Sequence, residues 1–353
     1  MQYIAFLTPL VVSVLTISGA SVAGPVFQSP LVVPATKSAL ALRGTLNAAG
    51  TAGQRLVVAG QRGHILYSDD GATWLQAKVP VSSDLTALYF ASASEGWAVG
   101  HEGVILHTAD GGTTWTKQLD GKQAAELLVK AYGKPANASD PAAQRLRQDA
   151  ETFAAQGADK PFLDVWFEDT RRGFAVGAFN LILRTEDGGN TWTPWMDRVN
   201  NPKGLHMYGI RPAGGSVFIA GEQGLVLKYD RAQQRFVKVD LPYQGTLFGV
   251  TGTDRTVVVY GLRGNALRSA DGGASWMKIE TGVTTGLSSG LVRRDGAIVL
   301  ASQAGQVLVS TDDGASFRRV PVATAEPTFA LADAGNGVLA LAGLGGVRVE
   351  APK

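Results

Sequence analysis

The sequence predicts an all-β fold, a seven-bladed β-propeller, on three observations. One sequence unit recurs about every 40 residues, the spacing of a four-stranded blade of the WD40 type. Each unit alternates short apolar runs with turns rich in Gly and Asp. Glycine reaches 44 of 353 residues, enough to supply the positive-φ positions that many tight hairpins need.

The unit is visible six times. It reads GQRGHILYSDDGATW over Gly60–Trp74, GHEGVILHTADGGTTW over Gly100–Trp115 and GAFNLILRTEDGGNTW over Gly177–Trp192. It continues as GEQGLVLKYDRAQQRF over Gly221–Phe236, GLRGNALRSADGGASW over Gly261–Trp276 and SQAGQVLVSTDDGASF over Ser302–Phe317. A shortened seventh copy, GLGGVRVE, begins at Gly343. The closing aromatics are 41, 77, 44, 40 and 41 residues apart, so one interval carries an insertion between the second and third copies.

Within a unit, an apolar run such as Leu85–Phe90 reads as inner strand a, and Trp97–Val99 as strand b. A Gly-x-x-Gly turn leads into strand c, and an Asp-Gly-Gly turn into strand d at the aromatic. The segment S/T-x-D-x-G-x-T/S-W is an Asp-box, whose carboxylate and hydroxyls close the turn on its own backbone. Its aromatic is expected to bury a large apolar surface between blades. The structural pairs are expected to be Asp69 with Trp74, Asp110 with Trp115, Asp187 with Trp192, Asp271 with Trp276, and Asp312 with Phe317. The fourth copy has lost most of the box and the seventh has none.

The seventh copy has no strand d, and an open sheet edge is a liability. The segment about 29–35, with Leu31–Val33 between Pro30 and Pro34, is expected to supply that outer strand, because an edge strand tolerates proline. Upstream, residues 1–23 read as a signal peptide, with an apolar run from Ile4 to Ile17 and small residues at Ser21 and Ala23. Cleavage before Gly24 would leave a periplasmic or secreted propeller over residues 24–353.

The insertion, residues 120–160, reads as two helices. Ala124, Leu127, Leu128 and Ala131 share one helical face, with Asp120 and Gln123 placed as a capping box and Gly133 as the stop. Ala142, Leu146, Ala150 and Phe153 share another, with Ser139 or Asp140 as cap, Pro141 in the first turn and Gly157 at the end. The insertion joins strand d of blade 2 to strand a of blade 3, which places it on the face that carries the b–c turns. Arg62, His101, Phe179, Lys203, Glu222 and Arg263 fall on that face and are the candidate binding residues. Loops on a rigid scaffold are where partners are usually met.

Composition narrows the function classes. There is no cysteine, which excludes disulfides, thiolate catalysis and Cys-ligated metals. Net charge is +2, without the basic footprint of a nucleic-acid binder. The four histidines show no metal-ligand spacing, and GLGG at 343–346 is followed by no helix that could make a nucleotide loop. Asp-boxes also occur in sialidases, which need an arginine cluster and a Tyr nucleophile and carry an Arg-Ile-Pro motif ahead of the boxes; that motif is missing, and Ile210-Arg211-Pro212 is only an echo. An acid repeated once per blade is structural rather than catalytic. The expected protein is a monomeric binding or assembly factor, not an enzyme, without cofactor or metal. A carbohydrate- or small-molecule-binding propeller is the alternative, and a glycoside hydrolase stands behind it.

The phrases WAVGHEGVILHTADGGTTW and FAVGAFNLILRTEDGGNTW resemble the photosystem II stability/assembly factor-like propellers, a BNR/Asp-box repeat family, and the similarity extends over nearly all of residues 27–350. The resemblance implies a non-catalytic propeller that serves a membrane protein complex. Photosynthetic members look like lumenal chaperones for an early reaction-centre subunit, and non-photosynthetic relatives accompany RND-type exporters. No family binding residue is carried over to a position here.

Overall fold

The computed structural model describes residues 28–135, 137 and 139–351. The expected signal peptide and its cleavage site lie outside the described residues. Seven antiparallel sheets form the blades, six of four strands and one of three. Their strands run from Leu46 to Gln76, Leu85 to Leu119, Phe162 to Pro194, Met207 to Lys238, Leu247 to Ile279, Leu287 to Val320 and Thr328 to Glu350. The seven a strands touch one another in a closed cycle around a central channel. Among the described residues no helix is long and apolar enough to cross a membrane.

The core lies between blades, because b and c strands present apolar residues to both sheet faces. Strand b of blade 2 (Gly96–Gly100) is buried at every position, as is that of blade 3 (Gly173–Gly177). Trp97 of blade 2 stacks on Phe167 of blade 3 with ring centroids 3.5 Å apart. The last residue of strand b is glycine in six blades because the backbone of strand a passes too close for a side chain. A Cβ on Gly177 would sit 2.3 Å from the Pro161 carbonyl oxygen.

The Asp-box turns repeat one hydrogen-bond pattern. In blade 2 the Thr108 hydroxyl donates to Asp110 Oδ1 at 2.8 Å and accepts from the Gly112 amide at 3.0 Å. The Thr114 amide and hydroxyl then donate to the two Asp110 oxygens, and the Trp115 indole donates to the Gly112 carbonyl. Asp187, Asp271 and Asp312 repeat the hydroxyl and carboxylate bonds in blades 3, 5 and 6, and Trp276 repeats the indole bond in blade 5. Blade 1 corrects the expectation for Asp69. The box carboxylate is Asp70, which accepts from the Ser68 hydroxyl and the amides of Ala72 and Thr73. Asp69 points outward and pairs with Arg55. The reason is spacing: the box needs the acid two residues after the hydroxyl, and the shorter blade 1 copy places two acids in a row.

The expected closure of blade 7 is also corrected. That sheet has three strands, and residues 29–35 add none to it. The segment turns the other way, across blade 1 to blade 2. Leu31 is buried among Val79, Val81, Leu85 and Trp115. The Ala35 amide donates to the Val79 carbonyl, the Ser82 amide to Pro30, and Lys117 Nζ to Leu31. Burying Leu31 in that apolar site and satisfying the backbone there outweighs adding one short strand between two prolines. Blades 7 and 1 instead meet through side chains, with Trp74 against Val347 and Val349. Arg294 of blade 6 spans blade 7 on the a–b face, donating to Gln54 Oε1 and the Gly53 carbonyl of blade 1 at 2.9 Å each.

The insertion forms helix α1, Gly121–Tyr132, and helix α2, Pro141–Gln156. Asp120 and Gln123 make a reciprocal capping box, Asp140 caps α2, and Gly157 ends α2 at φ 78°. Their apolar faces are part of the main core: Ala124, Leu128, Ala150 and Phe153 are buried in one cluster with Trp97, Phe167 and Trp192.

Candidate functional site

The b–c turns of blades 1 to 6 pack on d–a links and that of blade 7 on Leu42, in the segment that enters strand a of blade 1, so turns and links lie on one face. Gly63 would clash with Val81, Gly103 with Gly121, Gly224 with Tyr243, Gly264 with Val283 and Gly346 with Leu42. The insertion therefore rises from this face, beside the b–c turn of blade 2.

All seven a strands begin with the same irregularity. The register against strand b skips one residue, at Asn47, Thr86, Leu163, Tyr208, Phe248, Ser288 and Phe329. A bulge of this kind re-aims a side chain. Here all seven bulged residues line the channel, at its end on the b–c face, around a space of about 320 Å³. The polar members tie blades together. Asn47 Nδ2 donates to the Leu85 carbonyl, Thr86 Oγ1 to Phe162 and Ser288 Oγ to Thr328. Leu163, Tyr208 and Phe248, on three successive blades, make no such tie, so that side of the rim is largely apolar. Tyr208 and Phe248 meet edge-to-face at 5.8 Å.

From that rim an aromatic path leads outward to the insertion. The Tyr208 ring lies 6.2 Å from His206, and His206 packs edge-on against Phe179 at 4.5 Å. The Lys160 ammonium sits 5.4 Å from both the Phe179 and the Phe153 ring centroids, a double cation–π contact joining blade 3 to α2. Phe179 is 48% exposed and has φ 55°. A bulky side chain in the left-handed region is strained by about 1–3 kcal/mol. The next residue, Asn180, also has positive φ where most of the sister turns have glycine. Buried Asn201 holds it, donating to Asn180 Oδ1 at 3.0 Å.

The structure sorts the six residues singled out from sequence into three places. Phe179, Glu222 and Lys203 converge on the blade 3–4 boundary. Glu222 accepts from the His206 amide, and Lys203 reaches Gln223. Arg62 and His101 meet at Asp84, their amides donating to its carboxylate and carbonyl. Arg263 stands apart on blade 5, exposed at φ 56°. His206, Tyr208, Phe248 and Lys160 complete the site and escape a search for motifs. Aligning the copies on the first residue of strand a would have found the ring, since the bulged residue is the next one in every blade.

The channel's arginine and tyrosines are not arranged as a sialidase needs. Arg211 is occupied by Asp164 Oδ2 at 2.6 Å and by the carbonyls of Val165 and Ile210. Burial raises the Tyr260 and Tyr89 hydroxyls above their ordinary value, the wrong direction for a nucleophile. Among the described residues no group of three or more His, Asp or Glu is placed to hold a metal ion.

Comparison with known proteins agrees with this architecture. A structure of YCF48 bound to D1 peptide superposes with a TM-score of 0.62 at 16% identity, over 87% of this chain and 93% of that one. YCF48 from Cyanidioschyzon merolae gives 0.62 at 14% identity, over 90% and 97%. The WD40 propeller domain of Doa1 gives 0.61 at 9% identity, over 91% and 96%, so these likenesses speak to the fold. The photosystem II assembly lipoprotein Ycf48 of Synechococcus sp. (strain CC9902) is 29% identical over 121 residues, 32% of this chain and 35% of that protein. The match thus spans about a third of that relative's length. The profile of one family matches residues 45–135 and 151–277, and through it the chain belongs to the photosynthesis system II assembly factor YCF48 family.

Proposed function

We propose that the protein is a non-catalytic, extracytoplasmic assembly factor that holds a polypeptide segment of a membrane protein complex across the channel mouth on the b–c face. The observation that carries this reading is Phe179, an aromatic ring kept half-exposed in a strained conformation and braced by Lys160 and His206. Exposed aromatics held rigid by their surroundings are typical anchors of protein recognition. The other exposed large apolar residues of the turns, Leu262 and Leu344, lie on the same face. Among the described residues no Asp-box or a–b turn exposes one. Export is supported by the apolar run near the N-terminus, and the assembly role by family membership. In a host without photosystems the client would be another membrane assembly, for which the family resemblance suggests an RND-type exporter.

Capture of partners from detergent-solubilised membranes of the native host tests the reading. Phe179→Ala with Tyr208→Ala should abolish retention while the melting temperature stays within a few degrees. Full retention by that folded double variant would overturn the channel mouth as the binding site.

A further inference from the structure

A second recess lies outside the channel mouth, between α2 and the link from strand d of blade 3 to strand a of blade 4. It measures about 440 Å³, within the range of small-molecule sites. Leu146, Met196 and Val199 give it an apolar floor. The buried Asn180–Asn201 pair closes one side and is satisfied internally, Asn201 bonding both the amide and the carbonyl of Leu205.

The charged groups around this recess are matched except one. Asp140 accepts from the Ala142 amide that it caps. Asp149 faces Arg145 at 3.8 Å, and Arg145 also donates to the Pro202 carbonyl. Asp197 accepts from the Tyr132 hydroxyl at 2.7 Å and lies 4.0 Å from Arg198. Arg235 has no acceptor among the described residues, although it is half-buried and its Nε is shielded from solvent. The other half-buried arginines, at 55, 184, 211, 268, 293 and 348, each have a carboxylate or a carbonyl. A shielded guanidinium N–H without an acceptor is costly, and a carboxylate is its best partner.

We infer that this recess is a binding site for an amphiphilic monocarboxylate, its hydrocarbon body on Leu146, Met196 and Val199 and its carboxylate on Arg235. A single flat anion suits a single guanidinium, whereas a phosphate would set two charges against Asp149 and Asp197. The site is separate from the channel mouth, and its occupancy does not depend on the partner reading above.

Calorimetric titration of the full-length purified protein with octanoate tests this, with octanol and octylamine as matched probes. Octanoate should bind saturably at one site. Arg235→Met should weaken it about tenfold or more, the worth of one charge-assisted bond, while Arg235→Lys should retain part of the affinity. Leu146→Trp, which fills the recess, should abolish binding with the melting temperature kept. Phe179→Ala should leave octanoate binding unchanged, which separates this site from the partner surface. No octanoate binding, equal binding of octanol, or unchanged affinity in Arg235→Met would overturn the inference.

Discussion

Asp164 of blade 3 holds blade 4 through a single carboxylate oxygen, which accepts from Arg211 Nη1 at 2.6 Å and from the Ile210 amide at 2.8 Å. It sits where the neighbouring a strands meet at the channel wall. Removing it leaves the buried Ile210 amide without its acceptor and a partly buried guanidinium with only the Val165 and Ile210 carbonyls. Asp164→Ala should therefore cost about 2–3 kcal/mol, below the ~3–5 kcal/mol of a fully enclosed pair because Arg211 keeps some contact with the channel. Asp164→Ala combined with Arg211→Leu should recover part of that loss in a denaturant titration. Equal losses in the single and double variants would show that the pair is not what joins these strands.

The assignment of the blade 1 box predicts opposite behaviour for two adjacent acids. Asp70→Ala removes the acceptor of the Ala72 and Thr73 amides and should lower the melting temperature clearly. Asp69→Ala removes only a surface pair with Arg55 and should change it little. Thermal scans of the two variants decide it, and the reverse order would restore Asp69 to the box.

Acid should loosen the Asp-box turns. The Asp312 carboxyl is held at about 2, first by the Ser316 hydroxyl, then by the Ser316 amide and the Ser310 hydroxyl. Asp271 and Asp70 are lowered by the same kind of bonds, first from the Ser275 hydroxyl and from the Thr73 amide respectively. A carboxyl depressed on folding adds stability above its unfolded value of about 3.9 and loses it as pH falls through the folded value. The melting temperature should hold down to about pH 4 and then decline toward pH 2. Asp312→Asn should lower it at neutral pH, and the difference from the parent should close as pH approaches 2. A constant offset at all pH values would sink this account.

The helical hairpin should not be removable without penalty. Leu128 is fully buried among blade residues, and Leu128→Ala should cost about 2–4 kcal/mol. Replacing residues 122–159 with a Gly-Ser link should lower stability further by baring the core it covers. Loss of partner retention in such a deletion would therefore need the folded Phe179 variant beside it. A deletion as stable as the parent would show that the hairpin is only laid on the surface.

The fold was legible because its signals are local and repeated. A Gly close to a carbonyl, an Asp two residues after a hydroxyl and a closing aromatic each report on a few bonds within one unit. The helix ends were legible for the same reason, since Asp120, Gln123, Pro141 and Gly157 act on their nearest neighbours. The path of residues 29–35 was not, because proline placement says that a segment can lie at an edge and not at which edge. The buried site of Leu31 is made by residues 79–115, far along the chain. Phe179 was found as a turn residue, but its partners His206 and Lys160 come from two other elements. Arg235 carried no signal at all, since an unmatched charge is visible only when every neighbour has been placed.

Blade 7, with three strands and no strand exchanged with blade 1 among the described residues, makes the ring a clasp rather than a weld. Its seam is held by side-chain packing, with Leu46, Val58, Ala330 and Ala342 buried together beside Trp74, and by the reach of Arg294 across to Gly53 and Gln54. Breathing of the whole molecule should begin there, with amides of blades 7 and 1 exchanging ahead of those in blades 2 to 4. The half that presents Phe179 is the half fastened by the hairpin, by stacked Trp97 and Phe167 and by Asp164. A client held on that face would ride on the stiff side of the ring, while thermal motion of the circle is absorbed on the other.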